Sequence, residues 1–151
     1  VILSPFDPAD PRVQPLLAAS DEYHQALYPA ESNHLEGIAA LQLPNVHFVA
    51  VLDGETIVAC GAVKILADDG VYGEIKRVFV TPAARGRGLS RQIMDVLERH
   101  LVTQGVRIAR LETGPLQPEA LGLYRRLGYV TRAAFGRYAA DPLSVFMEKR
   151  L

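Results

Sequence analysis

The chain holds a single cysteine, Cys60, in 151 residues. That excludes an internal disulfide and any cysteine-based zinc cluster, and no metal is implied elsewhere. Cys60 lies in an apolar run that reads as a strand, where a thiol is small buried filler. No histidine or acid adjoins it in sequence, which makes it a poor covalent nucleophile. Long hydrophobic runs are also missing. Nothing approaches the length of a membrane-crossing helix, and residues 1–20 lack a secretory signal pattern. Net charge is absent as well. Sixteen Lys and Arg against seventeen Asp and Glu leave −1, so the molecule as a whole has no electrostatic pull toward nucleic acid or an anionic membrane. The expectation is a cytoplasmic protein, monomer or homodimer, with neither of those partners. No repeat or low-complexity linker divides the chain. With 49% hydrophobic and 22% charged residues, 1–151 reads as one domain able to bury a core.

What is present is concentrated between Glu74 and Ser90. Residues 74 to 80 alternate and are rich in β-branched and aromatic types, as in a strand, and Pro82 closes it. Leu89, Ile93, Val96, Leu97 and Leu101 then recur at helical spacing up to Gly105. Between them stands Arg85-Gly86-Arg87-Gly88. Glycines there clear the approach to the backbone and permit positive φ. The first amides of the helix have no internal partner and carry the positive end of its dipole. Lys76, Arg77, Arg85, Arg87 and Arg91 add five cations within sixteen residues. The junction is an anion cradle, unless Arg87 and Arg91 simply face solvent.

The remaining elements read in order. A short strand covers Val1 to Leu3. Pro11, after Asp10 as cap, opens a helix that closes at Tyr28-Pro29. A second helix starts near Ser32 or Asn33 and carries Leu35, Ile38, Ala39 and Leu41. A meander follows: His47 to Leu52, the turn Asp53-Gly54, Thr56 to Leu66, the turn Asp68-Asp69-Gly70, and Val71 to Val80. After the glycine-rich loop and its helix (88–104) come a strand from Val106 to Thr113, a helix from Pro118 to Leu127, and closing strands at Tyr129 to Phe135 and Ser144 to Lys149. The strand–helix–strand crossover supplies one parallel pair in a sheet otherwise antiparallel.

Arg85-Gly86-Arg87-Gly88-Leu89-Ser90 resembles the acetyl-CoA motif of the GNAT superfamily of N-acetyltransferases, Arg/Gln-x-x-Gly-x-Gly/Ala, with Ser90 in the last place. Ala120 to Tyr129 is similar to its Ala-x-x-Leu-Tyr-x-x-x-Gly-Phe/Tyr signature, and the element order matches along nearly the whole chain. The resemblance implies an α/β (α+β) GNAT fold. Its central sheet is mixed and mostly antiparallel, with helices on both faces and a splayed parallel strand pair. It implies transfer of an acetyl group from acetyl-CoA directly to the amine of a small-molecule or amino-acid-like acceptor. The amides of Arg85, Gly86, Arg87, Gly88, Leu89 and Ser90 would bind the pyrophosphate. Val78, Phe79 and Val80 would pair with the pantetheine arm, and Gln117 stands where the family often has Asn. Tyr124 would protonate the leaving thiolate, or else be core packing; Glu74 would be the base, or else an ion-pair partner of Lys76 and Arg77. The acceptor would meet the segments around Tyr28, Asn33 and His34 and around Phe135 and Tyr138, His34 serving as ligand, base or helix cap.

Two other readings fit parts of the pattern. Gly86-Arg87-Gly88 begins a dinucleotide fingerprint, and Glu112 ends the next strand where a ribose-binding acid belongs. Arg91 in the third glycine position and the opening meander oppose it. A non-catalytic acyl-CoA-binding sensor would keep the loop but lose the acid and base, and both Tyr124 and Glu74 are present.

Overall fold

The computed structural model describes residues 1–151. The elements are β1 (Ile2–Pro5), α1 (Gln14–Leu27), α2 (Ile38–Leu41), β2 (Val46–Asp53), β3 (Thr56–Leu66), β4 (Tyr72–Val80), α3 (Leu89–Thr103), β5 (Ile108–Thr113), α4 (Pro118–Arg126), β6 (Val130–Arg132) and β7 (Val145–Arg150). All seven strands join one sheet in the order β1-β2-β3-β4-β5-β7-β6. Every neighbouring pair is antiparallel except β4 and β5, which α3 connects.

The pleat divides the core into two layers, because alternate residues of a strand face opposite ways. Val49 and Val51 of β2 join Ile93, Met94, Leu97 and Leu101 of α3 and Leu121 and Tyr124 of α4. Phe48 and Ala50, one residue out of phase, pack with Leu16 and Leu17 of α1 and Leu41 of α2. Helices thus cover both faces, as the family resemblance implies. Contact under α3 is close. A Cβ at Gly73 would stand 2.3 Å from Leu101 Cδ2, and one at Gly61 2.5 Å from Ile93 Cγ2.

Three elements differ most from the sequence reading. α1 begins at Gln14, because Pro15 takes the first-turn position. Residues 10–13 instead close their own turn, with Val13 N–H donating to Asp10 O at 2.9 Å and the Asp10 carboxylate holding the Arg12 amide and guanidinium. The second helix is cut to Ile38–Leu41. Asn33 Nδ2 donates back to the Tyr28 and Pro29 carbonyls, which closes a 3-10 turn at Ala30–Ser32. β6 stops at Arg132, after which Phe135 turns inward onto Tyr72 and Phe146.

β4 and β5 pair only through Gly73, Glu74 and Ile75 against Ala109, Arg110 and Leu111. Immediately beyond, β4 carries a bulge: Cys60 pairs with Phe79 and Ala62 with Lys76, so Gly61 opposes both Arg77 and Val78. Arg77 has φ 59, the left-handed region, at a cost of roughly 1–2 kcal/mol for a non-glycine residue. Its side chain holds it there. Nε donates to Glu36 O at 2.9 Å and Nη1 to Asp21 Oδ1 at 2.6 Å, and only 4% of the side chain is exposed. Cys60 Sγ donates to the Arg77 carbonyl at 3.2 Å. A bulge bends and twists its strand, and here β4 leaves β5 and a notch opens.

On the α3 face of β2, the His47 and His100 rings stack at 3.9 Å and 4°. Burial lowers both pKa values, and for His47 the neighbouring His100 adds to it. A folded-state pKa below the unfolded one means that the unfolded chain binds more protons. The stability from this pair is complete above the ordinary imidazole range and is lost as pH falls toward the lowered values. Thermal unfolding between pH 8 and 5 should show a falling midpoint below about pH 6.5, and a shallower fall in His47→Phe. Parallel curves for the two proteins would contradict this.

Candidate active site

Two cavities open along the notch. The larger, ≈ 580 Å³, is a groove between the end of β4, the glycine-rich loop and α4. The smaller, ≈ 100 Å³, lies between β4, β5, the segment after α1 and the closing β6–β7 loop. They share Val78, Gln117, Ala120 and Tyr124.

The groove gathers nearly all residues expected to hold a cofactor. Val78, Phe79, Val80, Arg85, Gly86, Gly88, Leu89, Ser90, Gln117 and Tyr124 line it. Past Ile75, no strand pairs with the β5-facing edge of β4. Gly88 caps α3 with φ 74, and a Cβ at Gly86 or Gly88 would meet nothing within 4 Å. The glycines are needed for backbone conformation and an open approach rather than for packing. The first bond closing onto the helix is Gln92 N–H to Gly88 O, which leaves the Leu89, Ser90 and Arg91 amides for an anion. The Arg87 side chain takes the solvent-facing alternative. Its guanidinium turns to Asp53 at 3.1 Å on the surface and lies outside the groove wall, because the β2–β3 turn offers a carboxylate nearby. Arg85 stays at the groove, its Nε donating to Val80 O at 3.2 Å. Sequence reading passed over Leu123 and Arg126, which face the groove one and two helical turns on from Glu119.

In the small chamber, Tyr28, Asn33, His34 and Tyr138 come together from segments far apart in the chain, with Glu74, Lys76, Glu112 and His24. Phe135 does not reach it. It is 2% exposed, in the cluster with Tyr72 and Phe146, and backs the Tyr138 ring at 5.3 Å. An apolar side chain with no hydrogen-bonding group is better satisfied there than on a polar wall. Two contacts join the walls: Ser32 Oγ donates to Asp141 Oδ2 at 2.6 Å, and the His34 and Tyr138 rings meet edge to face at 5.0 Å.

Glu74 is 5% exposed. Its Oε2 accepts from Tyr138 OH at 2.5 Å and from Lys76 Nζ at 3.4 Å, and Lys76 also reaches Glu36 at 3.3 Å. Burial, then the Glu74 charge, raises the Tyr138 phenol. Arg77, expected nearby as a partner, turns instead to Asp21. Tyr124 is buried at the junction of the cavities, and burial followed by the Glu112 charge pushes its phenol up to about 12. It therefore carries its proton at neutral pH. Burial likewise pushes Glu112 up to about 7.

Tyr28 acts through a neighbour. Its oxygen accepts the Leu116 amide at 3.2 Å and its hydroxyl donates to Gln117 Oε1 at 3.2 Å, which turns the Gln117 NH₂ away from it. The ring passes so close to the end of β5 that a Cβ at Gly114 would sit 1.9 Å from the Tyr28 oxygen.

These features describe an acyl-CoA-type transferase scaffold: a backbone-lined groove ending at a phenol, with a polar chamber beyond it. Comparison agrees. The profile of the Acetyltransferase (GNAT) family matches residues 13–129. An "IAA acetyltransferase" of Azospirillum brasilense is 40% identical over all of this chain and 98% of its own. A Klebsiella pneumoniae structure classed as an acyl-CoA N-acyltransferase superimposes with a TM-score of 0.82 at 35% identity, over 99% of this chain and 97% of that one. A PaiA N-acetyltransferase from Thermoplasma acidophilum, solved with coenzyme A, shares the fold at a TM-score of 0.74 and 13% identity, each chain fully covered. The protein belongs to the GNAT acetyltransferase family and is an acetyltransferase.

Gly114→Ala should cost about 1–3 kcal/mol, the usual range for overpacking a filled site, and show as a lower thermal midpoint. Adding Tyr28→Phe should recover little, because the ring edge also lies within 2.6 Å of that Cβ. Full recovery would mean that the hydroxyl alone sets the constraint.

Proposed function

We propose that the protein moves an acetyl group from acetyl-CoA directly to the amine of a small acceptor, with both substrates bound together. The observation that carries this is the junction: groove and chamber share Val78, Gln117, Ala120 and Tyr124, so a thioester at the end of the groove would adjoin an amine in the chamber. The loop amides suit the pyrophosphate, and the unpaired edge of β4 suits an extended arm that adds like a strand. Cys60 gives no support to an acyl-enzyme. It is fully buried, lines neither cavity, and burial pushes its thiol up to about 12.

In the reaction, the amine lone pair forms a bond to the thioester carbon, the carbon–sulfur bond breaks, and the thiolate leaves with its electron pair. Tyr124 supplies the thiolate with a proton. A chamber carboxylate first frees the amine from its ammonium form, since an ammonium has no lone pair. The ≈ 100 Å³ chamber is small beside drug-sized pockets of roughly 300–1,000 Å³, so it suits the reacting end of a compact amine. The dinucleotide reading loses its acid here: Glu112 faces the chamber rather than the loop. The decisive assay is thiol release from acetyl-CoA against a panel of amines and amino acids. A protein that binds acetyl-CoA and turns over none of them would favour the sensor reading.

Acetyl-CoA should bind in the micromolar range, about −8 kcal/mol, and Gly88→Val should abolish that binding because valine resists the left-handed conformation of the cradle. Calorimetry on a folded variant with unchanged affinity would remove the cradle.

Tyr124→Phe keeps the buried ring, so stability should change little while turnover falls roughly 10–100-fold. That is the low end for a general acid, since coenzyme A is a fair leaving group unprotonated. Acetyl-CoA affinity should hold. Wild-type turnover across the pH range would leave Tyr124 as packing.

A further inference from the structure

Two carboxylates stand on one face of the parting strands. Glu74 of β4 is in register with Arg110 of β5, and Glu112 lies two residues further along β5, where pairing has ended. Their surroundings differ. The Glu74 oxygen nearest its neighbours is held by Tyr138 and Lys76, and the Lys76 ammonium also engages Glu36 and Tyr138. An acceptor N–H could reach that oxygen only by displacing a donor already bound. Glu112 also lines the chamber, yet it takes part in none of the ion pairs within 4 Å.

The groups facing Glu112 come from every wall. They are Lys76 and Glu74 from β4, Tyr124 from α4, Tyr28 after α1, and Tyr138, Asp141 and Ser144 from the closing loop. Burial raises its carboxyl to about 7. Ser144 and Lys76 pull against that shift, and Glu74 and Asp141 add to it. The Ser144 pull is weak in geometry, for its buried Oγ makes no well-formed hydrogen bond. Two like groups in one chamber with different surroundings divide into different roles.

We infer that Glu112, rather than Glu74, takes the proton from the incoming ammonium, while Glu74 matches the charge of Lys76 and fixes Tyr138. This rests on the N-acetyltransfer reading above. The Glu112 carboxylate removes one proton from R–NH₃⁺ and becomes the neutral acid. As R–NH₂ attacks, the carbon–nitrogen bond forms and the carbon–sulfur bond breaks. The thiolate takes the Tyr124 proton, and the surplus proton on the new amide nitrogen restores Tyr124. Glu112 then returns its proton to solvent. The sum is R–NH₃⁺ plus acetyl-CoA giving amide, coenzyme A thiol and one proton. A base that titrates near the working pH is best matched to this task.

The test uses two probe acceptors of similar size, ethylamine and 2,2,2-trifluoroethylamine. The first is an ammonium at neutral pH; electron withdrawal leaves the second largely as free amine. Thiol release is followed from pH 5.5 to 9 for wild type, Glu112→Gln and Glu74→Gln. Glu112→Gln should lose about 10²-fold in kcat/KM with ethylamine, the scale of one general base, but only a few-fold with trifluoroethylamine. Its acid limb near pH 7 should vanish, whereas Glu74→Gln should keep that limb and affect both amines alike. Carboxyl-labelled glutamate followed by NMR should show one signal titrating near 7 that disappears in Glu112→Gln, independent of turnover. Equal losses with both amines in Glu112→Gln, or an acid limb lost only in Glu74→Gln, would overturn the assignment while acetyl transfer stands. A wild-type protein that releases no thiol with any amine of the wider panel would sink the transfer reading, and this role with it.

Discussion

The site depends on one residue held in a conformation it disfavours. Arg77 adopts φ 59 in the middle of β4, and its buried guanidinium ties that strand to Asp21 on α1 and to the Glu36 carbonyl before α2. A charge-assisted hydrogen bond contributes about 1.5–3 kcal/mol, enough to offset roughly 1–2 kcal/mol of backbone strain. The bulge bends β4 from β5, and without that divergence there would be no groove edge, no chamber and no junction between them. The same anchor carries the segment after α1 to the chamber wall. Strain at one residue thus positions both halves of the site.

Much of this was legible because its signals are local. The glycine loop, the apolar face of α3, the Asp53-Gly54 turn and the Leu123-Tyr124 signature each lie within a few residues, and each lands where the sequence places it. The chamber was less legible. Tyr138 and Glu74 are 64 residues apart and Ser32 and Asp141 are 109 apart, and no spacing rule links them. Phe135 read as a pocket residue because it stands in a segment dense with polar groups, but its own ring had a drier place to go. Arg77 read as one more cation near the loop. A positive φ on arginine leaves no trace in composition.

Glu112 shows the limit most clearly. At the end of a strand after a glycine loop it suggested a ribose contact in a rival fold. Only the closing loop and the segment after α1, folding over β5, exclude enough water to change its proton affinity. Burial, not sequence position, raises a carboxylate's proton affinity.

The two cavities also differ in what holds them. The groove is built largely from backbone: a free strand edge and loop amides, which tolerate changes of side chain, and two glycines that hold the loop conformation. The fold itself persists at 13% identity in the Thermoplasma acidophilum protein. The chamber is built from side chains of five separate segments, so a few substitutions away from the shared junction would reshape it without disturbing the groove. Cofactor and acceptor recognition are therefore separable on this scaffold. A change confined to the chamber would alter what meets its hydrogen-bonding groups while leaving the backbone of the groove in place.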